Sequence, residues 1–157
     1  MSDEQQGTDW RYDRVGSAEW GENPMVLARM HSGYAVMGDT QFLPGYCLLL
    51  ASPWADKLTD LPLDRRSEFL LDMSVLGEAV ESACRPHGLR RVNYEISGNR
   101  EPFLHAHVWP RYEWEPEEYV SGPVGRYPLE RRTHEGDRYG EAAHGELGAR
   151  ITIELLA

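Results

Sequence analysis

The chain has 157 residues, 41% of them hydrophobic and 27% charged, with a formal net charge of −10. That is enough for one domain with one core, and no run approaches the roughly 18 consecutive apolar residues of a membrane helix. The acidic balance argues against binding long nucleic acid through a basic face. It leaves room for a small anionic ligand, whose contacts are short-ranged and screened beyond about 8 Å.

In chain order, residues 1 to about 15 are polar and expected to fray. They lack the basic start and apolar core of a signal peptide, so a cytoplasmic location is expected. Ser17 is a candidate cap for a short helix that Asn23-Pro24 ends. Met25–Met30 and Tyr34–Met37 are short β-prone runs, and His31-Ser32-Gly33 between them reads as the turn of a hairpin. Gly38 to Gly45 is a loop closed by a Pro-Gly signal. Tyr46–Ala51 is a strand apolar on both faces, hence central. From about Asp64, a candidate cap, to Pro86, the residues Phe69, Leu70, Met73, Leu76, Val80 and Ala83 recur at steps of three and four, which predicts a helix of about six turns.

Leu89–Ser97 and Phe103–Tyr112 then alternate as strands. Residues 113–136, rich in Glu, Pro, Gly and Arg, read as an irregular excursion or lid, with Glu113–Glu118 a solvated run or, alternatively, a rim that repels polyanions and admits only compact substrates. A last helix is predicted from about Arg138 to Leu155, with Leu147, Ile151 and Leu155 inward. The order predicts a single α+β domain over 1–157. Its sheet has about five strands, mostly antiparallel, with one long helix, and residues 113–157 add a C-terminal loop and helix. Cys47 and Cys84 have no metal-type or C-x-x-C spacing and read as buried spectators.

The chemistry concentrates in Phe103-Leu-His-Ala-His-Val-Trp-Pro-Arg111. Side chains alternate on a strand, so His105 and His107 share a face, about 6.5 to 7 Å apart along the chain. Leu104, Ala106 and Val108 face the core, which makes the histidine face the floor of a cleft. Three readings stand: two surface histidines, half of a metal site, or a nucleophile with a helper. Zinc asks for three or four ligands, and His31, His87, His134 and His144 form no second motif. An imidazole is nucleophilic at neutral pH when one nitrogen is free and the other donates to an orienting acceptor.

Gly98-Asn-Arg-Glu-Pro-Phe-Leu-His-Ala-His-Val-Trp-Pro-Arg111 resembles the signature of the histidine triad (HIT) superfamily. That signature is Gly-Gln, a short spacer, three histidines separated by single apolar residues, and often Pro-Arg. Alignment on Pro110-Arg111 places His107 at the third histidine, His105 at the middle one and Phe103 at the first, with Gly98-Asn99 at the Gly-Gln. The likeness runs from about Met25 to Trp114 and is nearest to a bacterial branch described as dinucleoside polyphosphate hydrolases. It implies a HIT-like fold and hydrolysis of a nucleotide phosphoanhydride, with a nucleotidyl transferase or phosphoramidase, or a non-catalytic nucleotide-binding module, as the alternatives. It also implies no cofactor or metal, and a homodimer through the long helix and a strand.

It also implies roles. His105 attacks the α-phosphorus and forms a nucleotidyl-histidine. His107 donates a hydrogen bond to a phosphate oxygen or the leaving group. Asn93, Asn99, Arg100 and Arg111 are candidate phosphate donors. Asp39 is a candidate ribose partner that also suits a plain turn, and Trp54, Trp109 and Trp114 are candidate base-stacking rings that equally suit packing. Phe103 departs from the pattern. In the family the first histidine orients the nucleophile partly through its backbone carbonyl, which survives substitution by phenylalanine, whereas an imidazole hydrogen bond does not.

Overall fold

The computed structural model describes residues 9–157. Most of the N-terminal stretch expected to fray, residues 1–8, lies outside them, and residues 9–15 form a 3₁₀ turn and enter a helix. Five strands, β1 (Val26–Arg29), β2 (Gly33–Met37), β3 (Cys47–Ala51), β4 (Leu89–Ile96) and β5 (His105–Tyr112), build one antiparallel sheet in the order β1-β2-β3-β5-β4. Among the described residues five helices accompany it: α1 (Arg14–Glu19), α2 (Leu63–Cys84), α3 (Glu117–Val120), α4 (Leu129–Arg132) and α5 (Glu141–Leu156). The fold is the expected α+β, with β3 central.

Two helix caps differ from the sequence reading. Asp13, not Ser17, caps α1, its carboxylate accepting from the Gly16 N–H. Ser17 lies inside the helix, buried, its hydroxyl donating to the carbonyls of Trp10 and Arg14. The carboxylate wins because capping from Asp13 turns Val15 and Ala18 into the core. At α2, Pro62 occupies the cap position and Asp64 sits in the first turn, where its charge complements the helix dipole instead. The buried stripe of α2 is Phe69, Leu76, Val80 and Ala83, as the periodicity predicts, while Leu70 is exposed. Asp72 of the same stripe is also buried, because its carboxylate holds the hairpin turn: the Ser32 N–H and hydroxyl both donate to it at 2.6 Å.

One face of the sheet packs on α2 and α5. Ala35, Leu49, Ala106 and Val108 are fully buried there, Tyr94 lies against Gly77 of α2, and Met37 meets Gly148 of α5. Burial also pushes both thiols, Cys47 and Cys84, above the ordinary range. The other face carries the histidines. No helix among the described residues is long and apolar enough to cross a membrane.

The C-terminal third is more ordered than its composition suggests. Residues 113–136 fold into α3, α4 and short 3₁₀ turns. Glu115, expected in a solvated run, is buried. The last helix begins at Glu141 and not near Arg138, because residues 137–139 are bonded elsewhere. The Gln41 N–H donates to the Asp137 carbonyl at 2.6 Å, the Tyr139 N–H to the Asp39 carbonyl at 2.7 Å, and Thr40 bridges Arg138.

Candidate active site

Strand β5 opens at His105, two residues later than the alternation predicts. Phe103 and Leu104 precede the strand: the Phe103 N–H donates to the Glu101 carbonyl at 2.8 Å and the Leu104 N–H to the Ala55 carbonyl at 2.7 Å. That bend turns the Phe103 carbonyl back onto the histidine that follows it. Its oxygen lies 2.8 Å from His105 Nδ1. A carbonyl only accepts, so Nδ1 carries the proton and Nε2 keeps its lone pair. His105 is 6% exposed.

His107 stands two positions along the same face, its ring 4.9 Å from that of His105 and tilted 70° to it. Across the ladders, His105 opposes Leu50 and His107 opposes Leu48 on β3, and Glu95 opposes His107 on β4. His107 Nδ1 lies 2.6 Å from the hydroxyl of Tyr46. The Tyr46 ring stacks on Trp109 with centroids 3.4 Å apart and planes 3° apart. Burial, reinforced by the neighbouring His105, lowers the His107 pKa from 6.5 to about 4. Burial likewise holds the Tyr46 phenol well above its ordinary range.

Both histidines line a cleft of about 610 Å³. Its floor is Val36, Leu48 and Leu50, and Met25 and Met37 lie at its end. Arg14 and Asp39 form one wall, Gly98 and Arg100 enter from the β4–β5 turn, and Arg132 to Arg138 form the roof. Asp39 lines the cleft with its carboxylate held by both terminal nitrogens of Arg14, at 2.9 and 2.7 Å. Arg100 lines the cleft, while Asn99 beside it is exposed and does not.

The other two proposed phosphate donors are elsewhere. Asn93 opposes Trp109, and its side-chain oxygen accepts from Arg111 at 3.0 Å. It lines a separate hollow of about 880 Å³ along the open edge of β4, away from the imidazoles. Arg111 is 1% exposed, and all five of its N–H donors are used. Nε and Nη2 grip the buried Glu115 carboxylate, Nη2 also reaches the Tyr119 carbonyl, and Nη1 serves Asn93 and the Gly122 carbonyl. No donor remains for a phosphate. Among the tryptophans, Trp109 is buried under Tyr46, Trp114 stacks on Tyr112 with centroids 4.8 Å apart, and Trp54 stacks on Phe103 with centroids 5.0 Å apart.

Sequence reasoning missed Tyr46, Arg14, Arg132 and Arg138. Tyr46 carried a signal, since it stands two and four residues before Leu48 and Leu50 and so shares their face. The arginines carried none, because only the folding-back of both chain ends brings them over the sheet. Among the described residues, no three His, Cys, Asp or Glu side chains group in a way that could hold a metal ion.

No protein-family model matches the chain, and no curated protein matches it in sequence. Solved structures do. A histidine triad protein from Sinorhizobium meliloti 1021 superposes with a TM-score of 0.67 at 16% identity, over 87% of this chain and 93% of that one. A histidine triad protein from Marinobacter aquaeolei VT8 gives 0.65 at 22% identity, over 83% and 88%. A hypothetical histidine triad nucleotide-binding protein from Sulfolobus tokodaii strain 7 gives 0.66 at 12% identity, over 90% of each. At such identities the likeness is one of fold. The chain, with two imidazoles on the fifth strand of an antiparallel sheet, has the fold of the histidine triad proteins.

Proposed function

We propose that the protein is a nucleotide hydrolase. It cleaves a phosphoanhydride in a dinucleoside polyphosphate, or a related nucleotide conjugate, through a covalent nucleotidyl-histidine on His105. The observation that carries this reading is the 2.8 Å bond from His105 Nδ1 to the Phe103 carbonyl, which leaves the Nε2 lone pair free in a nearly buried ring lining the cleft. The fold adds support, since one structure that shares it is named as nucleotide-binding.

In the first step His105 Nε2 bonds to the α-phosphorus and the bond from phosphorus to the leaving phosphate oxygen breaks, its electron pair departing with that oxygen. In the second step water attacks the same phosphorus, the N–P bond breaks, and the nucleoside monophosphate leaves. Charge spreads over the phosphate oxygens in each transition state, and donors fixed in a cleft stabilise it. His107 and Arg100 line that cleft, and Asn99 joins them if the turn closes on substrate. The apolar floor of Val36, Leu48 and Leu50 suits a nucleoside, with Asp39 at its rim as the ribose partner.

The test is trapping with α-labelled diadenosine tetraphosphate and a quench in base. The expected result is a base-stable, acid-labile adduct, absent from His105→Ala and His105→Asn. Nucleotide binding without adduct or turnover defeats the hydrolase reading in favour of a binding module. Transfer to an acceptor other than water makes the protein a nucleotidyl transferase.

We infer that the working form is a homodimer built on α2 and the open edge of β4. Leu63 and Leu71 are exposed on that helix, and Tyr94 is half-exposed on that strand.

A further inference from the structure

We propose that Tyr46 is a positioning residue that locks His107 as a neutral Nε2–H donor, and that the site therefore favours phosphoanhydride substrates over phosphoramidates. This rests on His105 as nucleophile and goes on to name the leaving group.

The argument begins with a hydroxyl that has one partner. Tyr46 is 6% exposed, and among the described residues its hydroxyl bonds only His107 Nδ1. Were it to accept from an Nδ1–H, its own hydrogen would be stranded in a nearly dry position. Stranding a buried donor is the costly outcome. Tyr46 therefore donates, Nδ1 holds the lone pair, and the His107 proton is on Nε2. His105 is the reverse: its proton is on Nδ1, held by the Phe103 carbonyl, and its lone pair is on Nε2. Two imidazoles with ring centres 4.9 Å apart are thus set in opposite tautomers, one to attack and one to donate.

The phenol is held firmly enough for this. Its ring lies flat on Trp109. Gln41 accepts from the Gly45 N–H and donates to the Tyr46 carbonyl. Gly45 has φ +99°, and a Cβ there would lie 2.5 Å from Cys84 Sγ, so only glycine delivers the chain to Tyr46 along this path. The groups facing His107 are His105 on its own strand, Leu48 on β3 and Glu95 across on β4, with Arg132, His134, Glu135 and Arg138 lining the same cleft. None of these carboxylates hydrogen-bonds the His107 ring.

Such a donor lends a hydrogen bond and has no proton to give away. Losing the Nε2 proton would leave an imidazolate, or else draw the proton from Tyr46 and leave a buried phenolate, which burial disfavours strongly. The low His107 pKa also keeps the ring uncharged at neutral pH. The leaving group must therefore depart as a stable anion. A phosphate chain does, since phosphate ionises a second time near pH 6, at about the working pH. An amine leaving group from a P–N bond must be protonated as it leaves.

Two measurements test this on the full chain. Side-chain ¹⁵N spectra at pH 7 should show a protonated Nε2 on His107 and a protonated Nδ1 on His105. In Tyr46→Phe, which keeps the stack on Trp109, the His107 signal should shift to a tautomer mixture while His105 stays as it is. Kinetically, kcat/KM for diadenosine tetraphosphate should exceed that for adenosine 5′-phosphoramidate by at least about 100-fold. Tyr46→Phe should lower kcat for the tetraphosphate about 10-fold with KM nearly unchanged, and narrow the ratio. A His107 protonated on Nδ1 or on both nitrogens in the wild type overturns the proposal. So does a phosphoramidate cleaved as fast as the tetraphosphate, or a ratio that Tyr46→Phe leaves unmoved. Adducts on His105 from both substrates at equal rates overturn the proposal and leave His105 standing as the nucleophile. No adduct from either defeats the nucleophile assignment, and this proposal with it.

Discussion

His107 and Tyr46 make the smallest unit on which the reading turns. The pKa of His107 drops from 6.5 in the unfolded chain to about 4 in the folded one. Between those values the unfolded chain binds the proton and the folded one does not, so folding stability falls as pH falls through that window and the loss is complete below about 4. The expected outcome is a urea midpoint that declines from pH 6.5 to pH 4 in the wild type, with a shallower decline in His107→Gln. An unchanged slope would show that His107 already carries its charge in the folded state. The alternation Phe103-Leu-His-Ala-His was enough to put both histidines on one face. It could not show that one ring meets a carbonyl and the other a phenol sixty-one residues earlier in the chain, because those partners are chosen by the bend before β5 and by the β3–β5 pairing.

At the scale of elements, Arg111 and Glu115 bind the excursion after β5 to the sheet. The guanidinium joins Glu115, Asn93 and the carbonyls of Tyr119 and Gly122, and Tyr127 donates to Glu115 at 2.6 Å. Removing one partner leaves a buried charge uncompensated, which costs about 3–5 kcal/mol. Arg111→Met should lower the unfolding free energy by that amount, read from a denaturant titration, and yet leave adduct formation on His105 intact under conditions where the protein stays folded. A loss of nucleotide affinity without a loss of stability would return Arg111 to the phosphate site. Pro110-Arg111 after two histidines invites the phosphate reading, since arginine suits both tasks. Burial separates them, and burial of Arg111 depends on a segment whose composition resembles a solvated loop. The roof is decided the same way, by main-chain bonds between residues 39–41 and 137–139 that no local pattern announces.

Across the whole molecule, charge and assembly bear on function. The chain carries −10, yet its cleft sets Arg14, Arg100, Arg132 and Arg138 against Asp39, Glu101 and Glu135, four cations to three anions before any histidine is counted. A local excess of this kind suits a compact phosphate ligand and not a long polyanion. The inferred dimer would cover Leu71, which is 64% exposed on α2. Sedimentation should give twice the chain's mass, and Leu71→Asp should shift it to the monomer. A wild-type monomer at micromolar concentration would remove the dimer from the proposal.

The sequence by itself determined the α+β class, the central strand, the long helix and the sharing of one face by His105 and His107. All of these follow from periodicities of two and 3.6 residues that short stretches express locally. Tertiary structure alone decided the protonation of each imidazole, the burial of Arg111 and the arginines above the cleft. Each depends on groups far apart in the chain, and whether such groups meet is set by strand order, by register and by which polar atoms the closed core leaves without water.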